Sequence, residues 1–327
     1  MSTKPATILG LAIGDALGMP FEFCDATIIA ESEWDEDFIP GDFGGEFDLK
    51  PGQWTDDTKM ATALATSLLE CKKFDIDNVS KKYIEWVESR DVRGIGIQTE
   101  RAIHNMIRGV PPIEAGKKES GRAKPSFKRI SKEVFSNDLH GHGDFCGNGT
   151  VMRCAPIGVF YNHINDVEDL LNAARDDATM THNHPDARDS SVFLCCTISH
   201  LLNGMPPKNS YEILIDSDYE YDHVTRLNRE AYEMAQNKET TYIDAISLGI
   251  AGTAHETLAS ALYCFWRYPS FKEAVSSAVR MGGDTDTRAA IVGALAGSYY
   301  GIEGIPKEWI DQVEESEMLQ KLDSDLF

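Results

Sequence analysis

Residues 282–301 read GGDTDTRAAIVGALAGSYYG. After Arg288 the stretch holds no charged residue, and the helix it predicts over residues 285–300 is apolar or small on every face. A helix without a polar face belongs in a protein interior. Its first turn, Asp284-Thr285-Asp286-Thr287, therefore points carboxylates out of the interior rather than into bulk water. The two glycines before it mark the turn from which the helix starts.

A second stretch repeats the pattern. Gly52 precedes Thr55-Asp56-Asp57-Thr58, and a helix is predicted over residues 57–71 with Met60, Leu64 and Leu68 at four-residue spacing. One such cluster reads as an ordinary helix start, because Thr and Asp cap N-termini and acids there favour the helix dipole. Two clusters read differently. A cap needs one side chain, whereas each cluster supplies two carboxylates and a hydroxyl. Four carboxylates buried together are costly unless cations neutralise them. An oxygen-only donor set suits hard cations such as Mg²⁺ or Mn²⁺ rather than zinc. A third acidic stretch, ILGLAIGDALGMPFEF at residues 8–23, puts Asp15 inside a Gly/Ala helix and Glu22 beyond its end. Asp15 reads as a satisfied buried acid that orders its surroundings, and Glu22 as a side chain that a turn can aim.

Working outward, the chain is helical throughout. Helices are predicted over residues 6–18, 166–178, 187–203, 225–236, 254–267 and 271–281 besides the two above, and strand patterns are scarce. No repeat or linker divides the 327 residues, so residues 1–327 read as one domain. Residues 31–54, 110–150 and 204–224 read as loops. The second carries a basic stretch (Lys117, Lys118, Arg122, Lys124, Lys128, Arg129 and Lys132) that serves either as a solvated surface or in docking a target.

Bulk properties exclude several classes. A net charge of −22, from 31 basic and 53 acidic residues, repels nucleic-acid backbones. Seven cysteines, an odd number without CxxC spacing, argue against a disulfide framework or thiolate zinc site and for a reducing compartment. No apolar run reaches the roughly 20 residues of a membrane span, and the start MSTKPATILG has no signal pattern. A cytoplasmic monomer is the expectation.

Two glycine turns and a histidine pair remain. GNGTVMRCAP (147–156) and RGIGIQT (93–99) could expose backbone N–H groups to a phosphate or be plain turns. Arg153, in an apolar run, calls for a buried carboxylate or a ligand. In THNHPDA (181–187) the i, i+2 spacing of His182 and His184 does not put them on one helix face for zinc; either could cap, pack or touch substrate.

Taken together, GLAIGDALGMPFEF, GQWTDDTKM, RGIGIQT, GNGTVMRCAP, THNHPDA and GGDTDTRAAIVGALAGSYYGIEGIP resemble, in order and over nearly the whole chain, the motifs of the ADP-ribosylglycohydrolase family. The resemblance implies an all-α orthogonal helical bundle with a central two-metal cleft holding two divalent cations, Mg²⁺ or Mn²⁺. It implies metal ligands at Thr55, Asp56, Asp57, Asp284, Asp286 and Thr287. Glu22 falls on the acidic position near the scissile bond, and Glu22 or Asp57 would assist proton transfer. Gly96, Phe145, Cys146, Gly147 and Asn148 fall where the family holds diphosphate and ribose, and His182 near the adenosine end. The implied activity is hydrolysis of the bond between ADP-ribose and a side chain of a modified protein, arginine first. Serine-linked, polymeric or O-acetyl ADP-ribose, or binding without catalysis, are the alternatives.

Overall fold

The computed structural model describes residues 4–40, 49–118, 146–163, 167–220, 222–250 and 252–327. In chain order the α-helices are α1 (Thr7–Gly18), α2 (Ala26–Glu31), α3 (Asp56–Cys71), α4 (Ile76–Glu88), α5 (Ile97–Ile107), α6 (Pro112–Ala115) and α7 (Ala155–Phe160). They continue with α8 (Val167–Thr181), α9 (Pro185–Leu202), α10 (Pro207–Leu214), α11 (Asp222–Gln236), α12 (Tyr242–Ala245) and α13 (Ala254–Arg267). The last four are α14 (Phe271–Arg280), α15 (Thr285–Tyr300), α16 (Lys307–Gln312) and α17 (Ser316–Leu326). Short 3₁₀ turns aside, the regular structure of the described residues is all helical; two isolated antiparallel bridges, Cys24–Gly283 and Gly147–Thr253, complete it.

The bundle is built on α1 and α15, which run antiparallel in near backbone contact. A methyl group added at Gly10 would lie 2.2 Å from the Gly293 carbonyl oxygen, one at Gly14 2.0 Å from that of Ala289, and one at Gly18 2.4 Å from that of Thr285. One added at Gly297 would meet the Ala6 carbonyl at 2.1 Å. Small residues recur every four positions on both helices, so the two backbones approach along a whole face. Both helices are buried over nearly their full length. Asp323 of α17 accepts the N–H groups of Ile8 (2.8 Å) and Leu9 (3.0 Å), satisfying donors that the start of α1 would otherwise leave open.

This seam fixes where the chemistry sits. It lays the C-terminal end of α1 on the N-terminal turn of α15, where the Thr285 hydroxyl donates to the Gly18 carbonyl at 2.7 Å. The chain leaving α1 then pairs with the residues entering α15: Phe23 N–H donates to Gly283 O (2.7 Å) and Gly283 N–H to Cys24 O (2.8 Å).

Helix α15 has the bounds expected from its composition. The structure adds α4, α5 and α17, three amphipathic helices that the sequence reading passed over. It also puts a helix, α10, inside the expected loop 204–224, where Pro206 and Pro207 open a helix; proline is well suited to that first position. Residues 32–40 and 49–54 are irregular, as expected. Most of the expected loop 110–150, including the basic residues from 122 to 132, lies outside the described residues, though α6 occupies its start.

The acidic centre

Asp15 is the organiser of the first cluster. Its carboxylate accepts the N–H and hydroxyl of Thr55 (3.0 and 2.8 Å) and the N–H and hydroxyl of Thr58 (3.1 and 2.6 Å). A carboxylate from α1 thus takes the place of an N-cap for α3. The Thr55 side chain makes no capping bond of its own, nor does that of Asp284 at the start of α15. The capping reading of the two clusters therefore fails for these residues: the Thr55 hydroxyl donates to Asp15, and Asp284 accepts from the Asn148 amide instead.

The two clusters meet. One carboxylate oxygen from each of Asp15, Asp57 and Asp286 lies within 4.8 Å of the others, and all three residues are buried. Asp57 is fully enclosed, and among the described residues neither of its carboxylate oxygens has a hydrogen-bond partner. Burial raises its pKa well above the usual carboxylate range, and the charges of Asp15, Asp56, Asp284 and Glu22 push it further. Asp286 is raised in the same way, by burial first and then by Glu22, Asp284 and Asp57. Asp56 is raised by burial and by Asp15, against which the backbone N–H of Gly96 works. Glycine at position 94 lets that loop come so close: a methyl group there would stand 2.6 Å from an Asp56 oxygen.

The buried Arg288 feels the charges of Asp284 and Asp286 but gives its hydrogen bonds to other groups. Arg288, one turn into α15, donates to the Ser260 hydroxyl (3.0 Å) and to the carbonyls of Ala278 (3.1 Å) and Gly282 (2.8 Å). Thr55, Asp56, Asp57, Asp284, Asp286 and Thr287 are all buried, and Asp57 and Asp286 bring carboxylate oxygens together with Asp15. Orphaned carboxylate oxygens in an oxygen-only setting fit a hard divalent cation. The Thr285 hydroxyl, between Asp284 and Asp286 in the chain, joins α15 to the Gly18 carbonyl of α1.

The glycine turn is tied to a neighbouring segment. The Asn148 N–H donates to Gly252 O (3.0 Å), and Cys146 O accepts from Ala254 N–H (3.0 Å), so the turn is zipped to residues 252–254. Gly147 and Gly149 are small for a packing reason: a methyl group at either would come within 3.0 Å or 2.7 Å of the His182 ring. His182 is buried, with Nδ1 2.9 Å from the Thr181 hydroxyl, and burial with the nearby Arg153 charge lowers its pKa to about 3, so the ring is neutral. Burial and the Asp186 charge raise the Cys146 thiol, which is therefore no nucleophile near neutrality. Gly96 begins α5 beside Asp56. Phe145 lies outside the described residues.

Arg153 has its expected carboxylate. Its guanidinium donates to Asp177 Oδ2 (3.0 Å), the Asp177 carbonyl (2.7 Å), the Gly149 carbonyl (2.7 Å) and the Thr181 hydroxyl (2.9 Å). It is a structural pair beneath the turn. Sequence reasoning missed the Asn148–Asp284 contact, where the Asn148 amide nitrogen lies 2.8 Å from Asp284 Oδ2. The two lie 136 positions apart in the sequence, so only the folded chain reveals it.

Comparison with known proteins identifies the family. The sequence pattern of the ADP-ribosylglycohydrolase family matches residues 6–327. The chain is 28% identical to the ADP-ribosyl-[dinitrogen reductase] glycohydrolase of Rhodospirillum rubrum, covering 97% of this chain and 92% of that one. It is 28% identical to the ADP-ribosylarginine hydrolase Tri1 of Pseudomonas putida, over 98% of this chain and 76% of the relative. A solved structure described as an ADP-ribosylglycohydrolase-related protein complex superposes with a TM-score of 0.74 at 29% identity, covering 98% of this chain and 95% of the other.

Proposed function

The chain belongs to the ADP-ribosylglycohydrolase family, and from that membership we propose that it is a divalent-cation-dependent hydrolase that removes ADP-ribose from modified arginine side chains of a protein. The observation that carries the cation dependence is Asp57: a fully buried carboxylate with two unpartnered oxygens, facing Asp15 and Asp286. The arginine linkage rests on the likeness to a relative named for that activity.

Thr55, Asp56, Asp57, Asp284, Asp286 and Thr287 supply the oxygens that would hold Mg²⁺ or Mn²⁺. The Thr55 hydroxyl gives its proton to Asp15 and so keeps its lone pairs for a cation. When bound, such ions orient the ribose hydroxyls and lower the pKa of a water. Asp15 keeps the α3 cluster in place. Hydrolysis breaks the bond between ribose C1″ and the guanidino nitrogen; the water oxygen joins C1″, and its proton ends on the departing guanidine. The transition state has oxocarbenium character, as in other glycosyl transfers. Glu22 or Asp57 assists the proton transfer, an effect typically of about 10²- to 10⁴-fold. Both lie in the acidic centre, where Glu22 adds to the charge felt by Asp57 and Asp286.

The test is incubation with arginine- and serine-linked ADP-ribosyl peptides, with mass detection of free ADP-ribose. Release from the arginine peptide should need Mg²⁺ or Mn²⁺ and stop with EDTA. Asp284→Ala should lower turnover by about 10³-fold or more, several kcal/mol of lost transition-state stabilisation, with its circular dichroism unchanged. Full turnover of that variant in excess metal would refute the assignment. Release from the serine peptide alone would move the linkage and leave the chemistry standing.

A further inference from the structure

Asp284 is held from the side opposite its own helix. Both amide hydrogens of Asn148 have acceptors: Asp284 Oδ2 at 2.8 Å and the Thr257 hydroxyl at 3.2 Å. The orientation of the amide follows from charge, since the reverse placement would set the Asn148 oxygen against a carboxylate. Thr257 is buried in the first turn of α13, and its own N–H is fixed by Thr253 O at 2.9 Å. Gly252 completes the arrangement. It sits at φ +83°, and a methyl group there would be 2.8 Å from the same Asp284 oxygen. The backbone closes the circuit, because Asn148 N–H donates to Gly252 O (3.0 Å) and Asp284 N–H to Ile250 O (3.1 Å).

We propose that Asn148 and Thr257 are positioning residues for the acidic centre: Thr257 orients the Asn148 amide, and the amide fixes the Asp284 carboxylate for cation binding. The inference rests on reading that centre as a cation site, and it gives Asn148 a different task from diphosphate contact. Both amide hydrogens are already engaged, so the amide nitrogen has none left for a phosphate oxygen. Partners of this kind orient metal-binding groups, and their loss typically lowers metal affinity or activity by about 10- to 100-fold.

The deciding measurement uses Mn²⁺ alone, with free ion counted by electron paramagnetic resonance. Asn148→Ala should weaken Mn²⁺ binding by about 10- to 100-fold. Thr257→Val, nearly isosteric but without the acceptor, should weaken it less, and Thr257→Ser should restore most of the loss. With saturating Mn²⁺ and ADP-ribosyl-arginine peptide, Asn148→Ala should recover kcat and keep KM near the wild-type value. A diphosphate contact would do the reverse: Mn²⁺ affinity unchanged and KM raised. Wild-type Mn²⁺ affinity in both Asn148→Ala and Thr257→Val would overturn the inference and leave the proposed function intact. A wild-type chain that bound no Mn²⁺ would overturn both. Should Asn148→Ala fail to fold, the Thr257→Val and Thr257→Ser pair decides alone.

Discussion

Two regions of this molecule bury carboxylates, and they treat them in opposite ways. At the junction of α8 with the glycine turn, Asp177 is fully enclosed, and so is its partner Arg153. The Tyr83 hydroxyl donates to the second Asp177 oxygen at 2.9 Å, and the Tyr83 ring faces the guanidinium with 5.0 Å to its centroid. Both carboxylate oxygens have a donor, and the charge is cancelled where it lies. At the start of α3 and α15, Asp57 is just as deeply enclosed, yet its two oxygens have no donor among the described residues. Its neighbours are other carboxylates, and the buried arginine nearby binds carbonyls instead. The first region is complete as folded and reads as structure. The second leaves buried carboxylate oxygens without a donor among the described residues, which is what supports the cation-site reading proposed above.

The same substitution in the two regions should therefore have opposite signs. Asp177→Asn leaves Arg153 buried without its counter-charge and should cost about 3–5 kcal/mol, read from urea unfolding; Arg153→Met should do likewise by stranding Asp177. Either variant unfolding like wild type would erase the contrast. Asp57→Asn in metal-free protein removes one of several repelling buried charges and should raise stability, by an amount on the order of 1 kcal/mol. A loss of stability there would mean that Asp57 has a protein partner after all.

Much of this was legible in the sequence, for identifiable reasons. Helix α15 has no polar face, so its burial, and with it the burial of Asp284 and Asp286 at its start, followed directly. Asp15 and Arg153 were readable because a charge inside an apolar run must be satisfied locally. The bounds of α4 and α5 were missed although Asp75 caps α4 and buried residues recur on both helices at three- and four-residue steps. Charged and polar residues between those positions obscured the pattern. The glycine turn at 147–149 hides a packing demand: two of its glycines are required by the ring of His182, which only the fold brings there. The partnership of Asn148 with Asp284 and Thr257 has no local signature, since three separate parts of the chain supply it.

The central claim is that the acidic centre is stabilised by a divalent cation, and thermal unfolding of EDTA-stripped protein with and without Mn²⁺ tests it most directly. Burial and mutual repulsion raise the folded-state pKa values of Asp56, Asp57 and Asp286. The metal-free fold therefore binds protons more tightly than the unfolded chain does, and it loses stability as pH rises above about 4, the ordinary carboxylate range. Mn²⁺ at a hundredfold excess over its Kd should restore about 2.7 kcal/mol. The same fixed Mn²⁺ concentration should stabilise more at pH 8 than at pH 5, and the gain should vanish in an Asp57→Asn, Asp286→Asn double variant. Equal unfolding temperatures with and without Mn²⁺ at pH 8, or an equal gain in the double variant, would contradict the account.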